Sequence, residues 1–546
     1  MNLEFTMPAQ APRDFAQAVA LFRKQRYAEA QALCLELLKQ QPEQAPVLHL
    51  LGLILADQGD TAQALGCLEQ ALKLDPGNAM LLGANALVLF RASRLEEAER
   101  AARTALALQP QLTDVVDILG SILWRRGNAP AARECFERAL QQTPGHAGAW
   151  GNLALLNEQS NRVAEAERMA EQGLALRPQD VMLRLVRGRC LRRRGEFTEA
   201  RAQLEALAQG GTAALRRDAG YEIALCADAL GEAGLAIAHA ERANKLAEQV
   251  APHALKDGGE YTQQIAHLHQ RFTPEWVASW QELSTDAAVR TPAFLTGFAR
   301  SGTTLLDSML AAHPGITVLE ERATEQAMIT TLNQFPAGYP EALKDLTPEQ
   351  QAQVRQGYFN AAALAQGDAR RIVDKSPFLT VHLGMLQRIF PGAAVIFMLR
   401  HPCDVVLSCF LTNMELNSGT VHFTHLDTSV QLYCQVMSLW QRYTEVLPLN
   451  QLQVRYEDLL DNPEVTLRQV LAFLGVPWSD KVLQHVEHVA ERGKIDSASY
   501  GQVSRPLYLS SRDRWQRYRK YLEPYFAQLR PWCERFGYSL LAAVHS

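Results

Sequence analysis

The chain has 546 residues, enough for two or more domains with their own cores, and its 47% hydrophobic and 21% charged content is ordinary for a soluble protein. The formal net charge of -5 argues against a broad nucleic-acid-binding surface but leaves room for a local basic pocket. No run of about 18 apolar residues occurs, so no membrane span is expected.

The first residues, Met1–Arg13, carry neither a basic stretch nor an apolar one, so no secretory signal is expected. Beyond them the sequence repeats. Pro42, Pro76, Pro110, Pro144 and Pro178 are spaced by 34 residues, and so are Ala30, Ala64, Ala98, Ala132, Ala166 and Ala200. Small residues recur in the same phase at Gly52, Ala86, Gly120, Ala154 and Gly188, and again at Ala71, Ala105, Ala139 and Gly173. This is the tetratricopeptide period, in which each unit is a pair of antiparallel helices. Small side chains at the crossing points let the two backbones close, and proline ends the second helix because it cannot donate the next intrahelical bond. One pair cannot bury a core alone, so the units must stack into a solenoid. Ala224, Ala236 and Ala243 arrive two residues late, which implies a two-residue insertion near Gly210–Gly211. Such an array is either a spacer or a concave surface that holds a peptide or partner protein, and the repeats alone do not choose.

After about Val250 the period stops. Thr273 and Thr347 read as helix caps, and Thr347 with Gln350 has capping-box spacing. The pattern then becomes strand–helix alternation. Strands are expected at Ala293–Phe298, Arg371–Val373, Ala394–Leu399 and Leu452–Tyr456, with helices over Thr304–Ala312, Val381–Phe390, up to Phe410, and Val465–Leu474. That alternation implies a parallel sheet with helices on both faces. Glu320 and Glu321 fall in the stretch between the first two strands.

Cys34, Cys67, Cys135, Cys190, Cys226, Cys403, Cys409, Cys434 and Cys533 are odd in number, scattered, and never spaced as C-x-x-C. A zinc site or disulfide framework is therefore not expected, and buried thiols in a reducing compartment, the cytoplasm, are.

The first strand runs into Gly297-Phe298-Ala299-Arg300-Ser301-Gly302-Thr303-Thr304. Its glycines have phosphate-loop spacing, and a tight loop opening a helix cradles an anion with backbone N–H groups. Thr303 stands where a nucleotide triphosphatase needs lysine, which disfavours an ATPase, GTPase or kinase. A second anion site is suggested by Arg400 at the end of the most apolar strand and Ser408 eight residues later. Two anion sites at strand ends suit a donor with two separated phosphate groups, whereas ATP needs one.

The loop resembles the 5′-phosphosulfate loop of sulfotransferases, and Arg400 with Ser408 resembles their 3′-phosphate motif. Further along, the resemblance is to the tyrosylprotein branch. It rests on His313-Pro314 followed by Glu320-Glu321, on Asp374-Lys375-Ser376-Pro377-Phe378, on Tyr456-Glu457-Asp458-Leu459, and on Ser499-Tyr500-Gly501-Gln502-Val503-Ser504-Arg505-Pro506 with Arg514-Trp515 beyond it. It covers the chain from about Ala293 onward. The sequence departs from that branch at Leu319, Ser376, Thr412 and Arg514, which bears on the acceptor more than on the donor.

The resemblance implies 3′-phosphoadenosine 5′-phosphosulfate as sulfuryl donor, adenosine 3′,5′-bisphosphate as product, and no metal. Arg300, Ser301, Gly302, Thr303, Thr304, Arg400, Ser408, Tyr456, Gln502, Val503 and Arg514 would hold the donor. Glu321 would be the general base, Arg300 and Lys375 would neutralise developing charge, and Ser499 would bond the leaving group. The expected organisation is a tetratricopeptide-repeat array over 13–248, a helical linker over 249–290 and a sulfotransferase domain over 291–546. Protein tyrosine is the expected acceptor, with the repeats holding the substrate protein. Carbohydrate, lipid or small-phenol acceptors remain open, as does a nucleotide-binding adaptor without turnover.

Overall fold

The computed structural model describes residues 13–281, 283, 290–364, 368–484, 486 and 511–540. The expected donor-covering loop, with Ser499, Gln502 and Val503, lies outside the described residues. Contacts divide the chain into two compact units, Met1–Cys190 and Leu191–Ser546.

In the first unit the 34-residue period becomes helical hairpins. The helices Tyr27–Gln40, Thr61–Leu74, Leu95–Leu108, Ala129–Gln142 and Val163–Leu176 each end two residues before a periodic proline. Ala30, Ala64, Ala98, Ala132 and Ala166 are fully buried. The small residues are needed for the reason anticipated. A Cβ added at Gly52 would lie 2.9 Å from Leu68 Cγ, and one at Gly120 would lie 2.6 Å from Phe136 Cε1.

Positive φ marks the turn inside each hairpin, at Gln25, Gly59, Ser93, Gly127, Asn161 and Gly195, again spaced by 34. The next such turn is Gly231, 36 residues on. The two-residue insertion is thus real, and helix lengthening absorbs it. Helix Ala213–Ala229, which lies before Gly231, has 17 residues against the 13 of Ala45–Asp57, and with Ala233–Val250 it forms the last hairpin.

This last hairpin belongs to the second unit, unlike the boundary expected at 248. Its Ala236, Ile237 and Ala240 share one hydrophobic core with Phe410, Phe423 and Trp515 of the α/β region. The same core takes in Ile265, Leu268 and Phe272 from Pro252–Arg271 and the residue after it.

The sheet has five strands: β1 (Ala293–Gly297), β2 (Ile316–Glu320), β3 (Arg371–Lys375), β4 (Val395–Leu399) and β5 (Gln451–Arg455). Their order is β2-β3-β1-β4-β5 and every pair is parallel. β1 and β4 are buried along their whole length, as near-continuous apolar runs in a parallel sheet should be. β2 was not anticipated. It is a half-buried edge strand containing Thr317 and ending in Glu320, so it lacks the apolar run that marks its neighbours.

Helix Thr303–Ala311 follows β1, and Leu383–Ile389, preceded by a 3₁₀ turn at Pro377–His382, precedes β4. Helices Pro402–Phe410 and Leu426–Val446 link β4 to β5. The chain leaves β1 toward β2 but leaves β4 toward β5. The adjacent pair β1 and β4 is therefore the switch point of the sheet, where open α/β folds form a ligand crevice.

Candidate active site

All five strands end at the same edge of the sheet, and each delivers a polar side chain there. In spatial order these are Glu320 and Glu321 from β2, Lys375 from β3, the Gly297–Gly302 loop from β1, Arg400 from β4 and Tyr456 from β5. Arg400 and the loop flank the switch point.

The loop is tight. Thr380 donates its hydroxyl to Gly297 O at 2.6 Å, which fixes its base, and Ser301 N donates to Phe298 O at 3.1 Å. Arg300 and Gly302 both have positive φ, 67° and 103°. At Gly302 the conformation and the space both demand glycine, because an added Cβ would lie 2.5 Å from Tyr456 Cδ2. Thr303 and Thr304 then open the Thr303–Ala311 helix. Its first-turn amides have no intrahelical acceptors and its dipole favours negative charge. Ser301 Oγ is buried and has no hydrogen-bond partner among the described residues, which suits a loop shaped for an anion.

Arg400 forms the opposite wall. Its Nη1 donates to Arg300 O at 3.1 Å and its Nη2 to Ser511 O at 2.6 Å. The guanidinium lies 4.7 Å from the Tyr456 ring centroid, and Tyr456 Oη in turn bonds Ser511 Oγ at 2.8 Å. Arg400 Nε is buried without a partner among the described residues. Ser408 is buried on the next helix and accepts a 3.1 Å hydrogen bond from Arg300 Nε. Arg300, expected beside the transferred group, is thus bonded to Ser408. Thr412 donates back to Ser408 O at 2.6 Å, which leaves it a helix-end role.

Asp404 lies beneath, with Oδ1 accepting from Trp515 N at 2.7 Å. Burial pushes its carboxyl up to about 6, against the pull of Arg400, the Trp515 N–H and Arg514. His401 caps the same helix through Cys403 N and stacks on Trp515, a packing role. Arg514 donates from Nε to Asp228 Oδ1 at 3.1 Å, while its Nη2 is buried with no partner among the described residues.

Lys375 is a fully enclosed charge. It is fully buried, and its ammonium meets Glu321 Oε1 at 2.8 Å, Asp307 Oδ2 at 3.1 Å and Glu320 Oε1 at 3.6 Å. Burial pulls its pKa down, but the charges of Asp307, Glu321 and Glu320 outweigh this and hold it above the ordinary lysine value. Of the three carboxylates, Asp307 and Glu320 are buried while the Glu321 side chain is 39% exposed. Glu321 alone can therefore reach a solvent-borne hydroxyl. Asp374, the strand neighbour of Lys375, is fully buried, and its carboxyl is pushed up to about 7 by burial despite a hydrogen bond from Thr324 and the nearby Tyr358 hydroxyl.

The structure thus gathers Arg300, Ser301, Gly302, Thr303, Thr304, Glu321, Lys375, Arg400, Ser408, Tyr456 and Arg514 at or beside one sheet edge. Asp307 and Asp404 were missed by sequence reasoning. Their signal was a lone charged residue in an otherwise uncharged helix, Thr303–Ala311 and Pro402–Phe410 respectively. Among the described residues, no group of His, Cys, Asp and Glu is set to hold a metal ion.

Residues 292–480 match the sulfotransferase family model, and residues 49–112, 119–181 and 159–214 match the tetratricopeptide repeat model. An uncharacterized protein of Aquifex aeolicus (strain VF5) is 24% identical over 419 residues, covering 74% of this chain and 53% of that protein. Protein-tyrosine sulfotransferase A of Caenorhabditis elegans is 29% identical over 239 residues, covering 41% of this chain and 60% of that protein. The protein-tyrosine sulfotransferase of Drosophila melanogaster is 30% identical over 246 residues, covering 41% and 46% respectively. The chain spans between 46% and 60% of the length of these relatives. It joins tetratricopeptide repeats in its N-terminal half to a C-terminal domain of the sulfotransferase family.

Proposed function

We propose that the protein transfers a sulfuryl group from 3′-phosphoadenosine 5′-phosphosulfate to an acceptor hydroxyl, and that the acceptor is protein tyrosine. The observation that carries this reading is the pair of anion-shaped walls at one switch point, the Gly297–Gly302 loop and Arg400, with Lys375 one strand and Glu321 two strands from the loop. The tyrosyl acceptor is supported by the Glu320-Glu321 pair and by the similarity to protein-tyrosine sulfotransferases.

The donor fits the residues present. The loop amides, Ser301 and the opening of the Thr303–Ala311 helix would take its 5′-phosphosulfate, and Arg400 with Ser408 its 3′-phosphate. Bound there, the donor supplies the sulfuryl group and leaves as adenosine 3′,5′-bisphosphate. Glu321 removes the acceptor proton at its carboxylate. For a phenol this is comparatively easy, since tyrosine has a pKa of about 10. Lys375 orients Glu321 by pairing with Oε1 and contributes positive charge at the floor of the site. The repeats would hold the substrate protein, the use to which such arrays are commonly put, and the nine free cysteines support a reducing, cytoplasmic setting.

The test is incubation of the purified full chain with sulfur-labelled donor and three acceptor pools: acidic tyrosine peptides, oligosaccharides and small phenols. Label on peptide tyrosine, lost in Glu321→Ala, is the expected result. Label confined to sugars or phenols would remove the tyrosyl acceptor and keep the donor chemistry. Failure to bind the donor would overturn the whole reading.

A further inference from the structure

The Ala213–Ala229 and Ala233–Val250 hairpin, repeat-like in sequence, is joined by polar contacts to both flanks of the pocket formed by Arg400 and Ser408. On one flank, Asn413, just past the helix that carries Ser408, donates to Asp218 Oδ1 at 3.0 Å. Asn244 donates to Thr424 O at 3.0 Å and to Phe410 O at 3.4 Å, and itself accepts from the Tyr221 hydroxyl. On the other flank, Asp228 Oδ1 accepts from Arg514 Nε at 3.1 Å, Arg517 Nη2 at 3.2 Å and Tyr518 Oη at 2.7 Å.

Asp228 is an unfavourable residue for its place. It sits in the last turn of its helix, at the negative end of the dipole, where a carboxylate is disfavoured. Three donors on one oxygen offset that, two of them cationic. The consequence falls on Arg514. With Nε held, its fork has fixed direction, and Nη2 is left buried without a partner among the described residues. Arg514 is close enough to Asp404 to act on its carboxyl alongside Arg400, and Trp515, the next residue, donates its N–H to that same carboxyl. Two guanidiniums, each with one buried nitrogen unpartnered among the described residues, thus converge on one aspartate in the helix that follows β4.

We propose that Asp228 is a positioning residue for the donor: it aims Arg514 so that Arg514 and Arg400 together read the 3′-phosphate. This inference rests on the proposed donor. It makes the last repeat hairpin a working part of the transferase domain.

The test is calorimetric binding of adenosine 3′,5′-bisphosphate and adenosine 5′-phosphate to the full chain, with Asp228→Asn, Arg514→Gln and the double variant. Asp228→Asn should weaken the bisphosphate about tenfold, the scale of one charge-assisted hydrogen bond, and adenosine 5′-phosphate by less than about twofold. The double variant should lose no more than Arg514→Gln alone, because the two act as one unit. Equal weakening of both nucleotides would reduce Asp228 to a structural staple and overturn the proposal, as would additive losses. Should Asp228→Asn fail to fold, Asp228→Glu keeps the charge at a longer reach, and the same selective loss, smaller in size, is expected. Native protein that binds neither nucleotide overturns the donor reading itself, an outcome distinct from non-selective loss in the variants.

Discussion

Glu321 and Lys375 are bonded to each other twice. The Glu321 backbone N–H donates to Lys375 O at 2.8 Å, extending the β2–β3 ladder by one residue, and the Lys375 ammonium donates to Glu321 Oε1, also at 2.8 Å. Glu321 has φ 46°, so the chain turns out of the strand at this residue while the ladder still holds it. A side chain 39% exposed is thereby fixed at both ends, as a base facing a mobile acceptor needs to be.

Glu321→Ala should lower turnover at least about a hundredfold, the lower range for loss of a general base, while binding of adenosine 3′,5′-bisphosphate stays intact. Steady-state kinetics with parallel calorimetry checks this. Equal turnover, or lost nucleotide binding, would remove Glu321 from the role of base.

Lys375→Met should be among the most destabilising single changes in the domain. It leaves Asp307 and Glu320, both buried, without the ammonium that faces them. Breaking a buried pair from one side costs about 3–5 kcal/mol. The double change Lys375→Met with Glu320→Gln should recover part of that loss. Urea unfolding of the three proteins measures it, and a single variant as stable as the native chain would mean that the cluster is solvated.

Much of this site was legible because its parts lie in one short loop or at the end of an apolar run. The Gly297–Gly302 loop and Arg400 each follow a strand that is buried throughout, so an apolar run marked both. Glu320 was placed between two strands rather than on one because β2, half-buried at the sheet edge, lacks that run. Asp307 and Asp404 were hidden for another reason. Their importance comes from Lys375 and Trp515, which are distant in sequence, and a single aspartate on a helix does not announce its partner. The last hairpin kept the alanine spacing of the repeats, but its burial against Phe410 and Trp515 is a tertiary fact that the spacing does not encode.

Arg400→Ala should weaken adenosine 3′,5′-bisphosphate by about 1.5–3 kcal/mol, the range for a charged hydrogen bond, or roughly ten- to a hundredfold. The loss should exceed that for adenosine 5′-phosphate. Part of it arises because Arg400 also links Arg300 O to Ser511 O, so the pocket loses a brace as well as a cation. Unchanged nucleotide affinity in calorimetry would sink the assignment.

The pH dependence of stability should carry a signature of Asp374. Its carboxyl is raised from the ordinary value to about 7, first by burial and then by Glu325, with Thr324, Tyr358 and Arg322 opposing. A group whose folded pKa is raised holds its proton more tightly when folded. Its stabilising contribution is complete below the ordinary carboxylate value, and is lost as pH rises through about 7. That is opposite in sign to a paired carboxylate such as Asp368, whose pKa the Arg370 side chain and backbone lower. Asp374→Asn is neutral at every pH and keeps an acceptor for Thr324. Relative to the native chain, the variant should therefore gain stability between about pH 4 and pH 8, by up to about 4 kcal/mol if the whole shift is realised. Urea unfolding across that range measures the difference between the two proteins, which cancels the other titrating groups. A difference that does not change with pH would mean that Asp374 is ionised in the folded protein throughout.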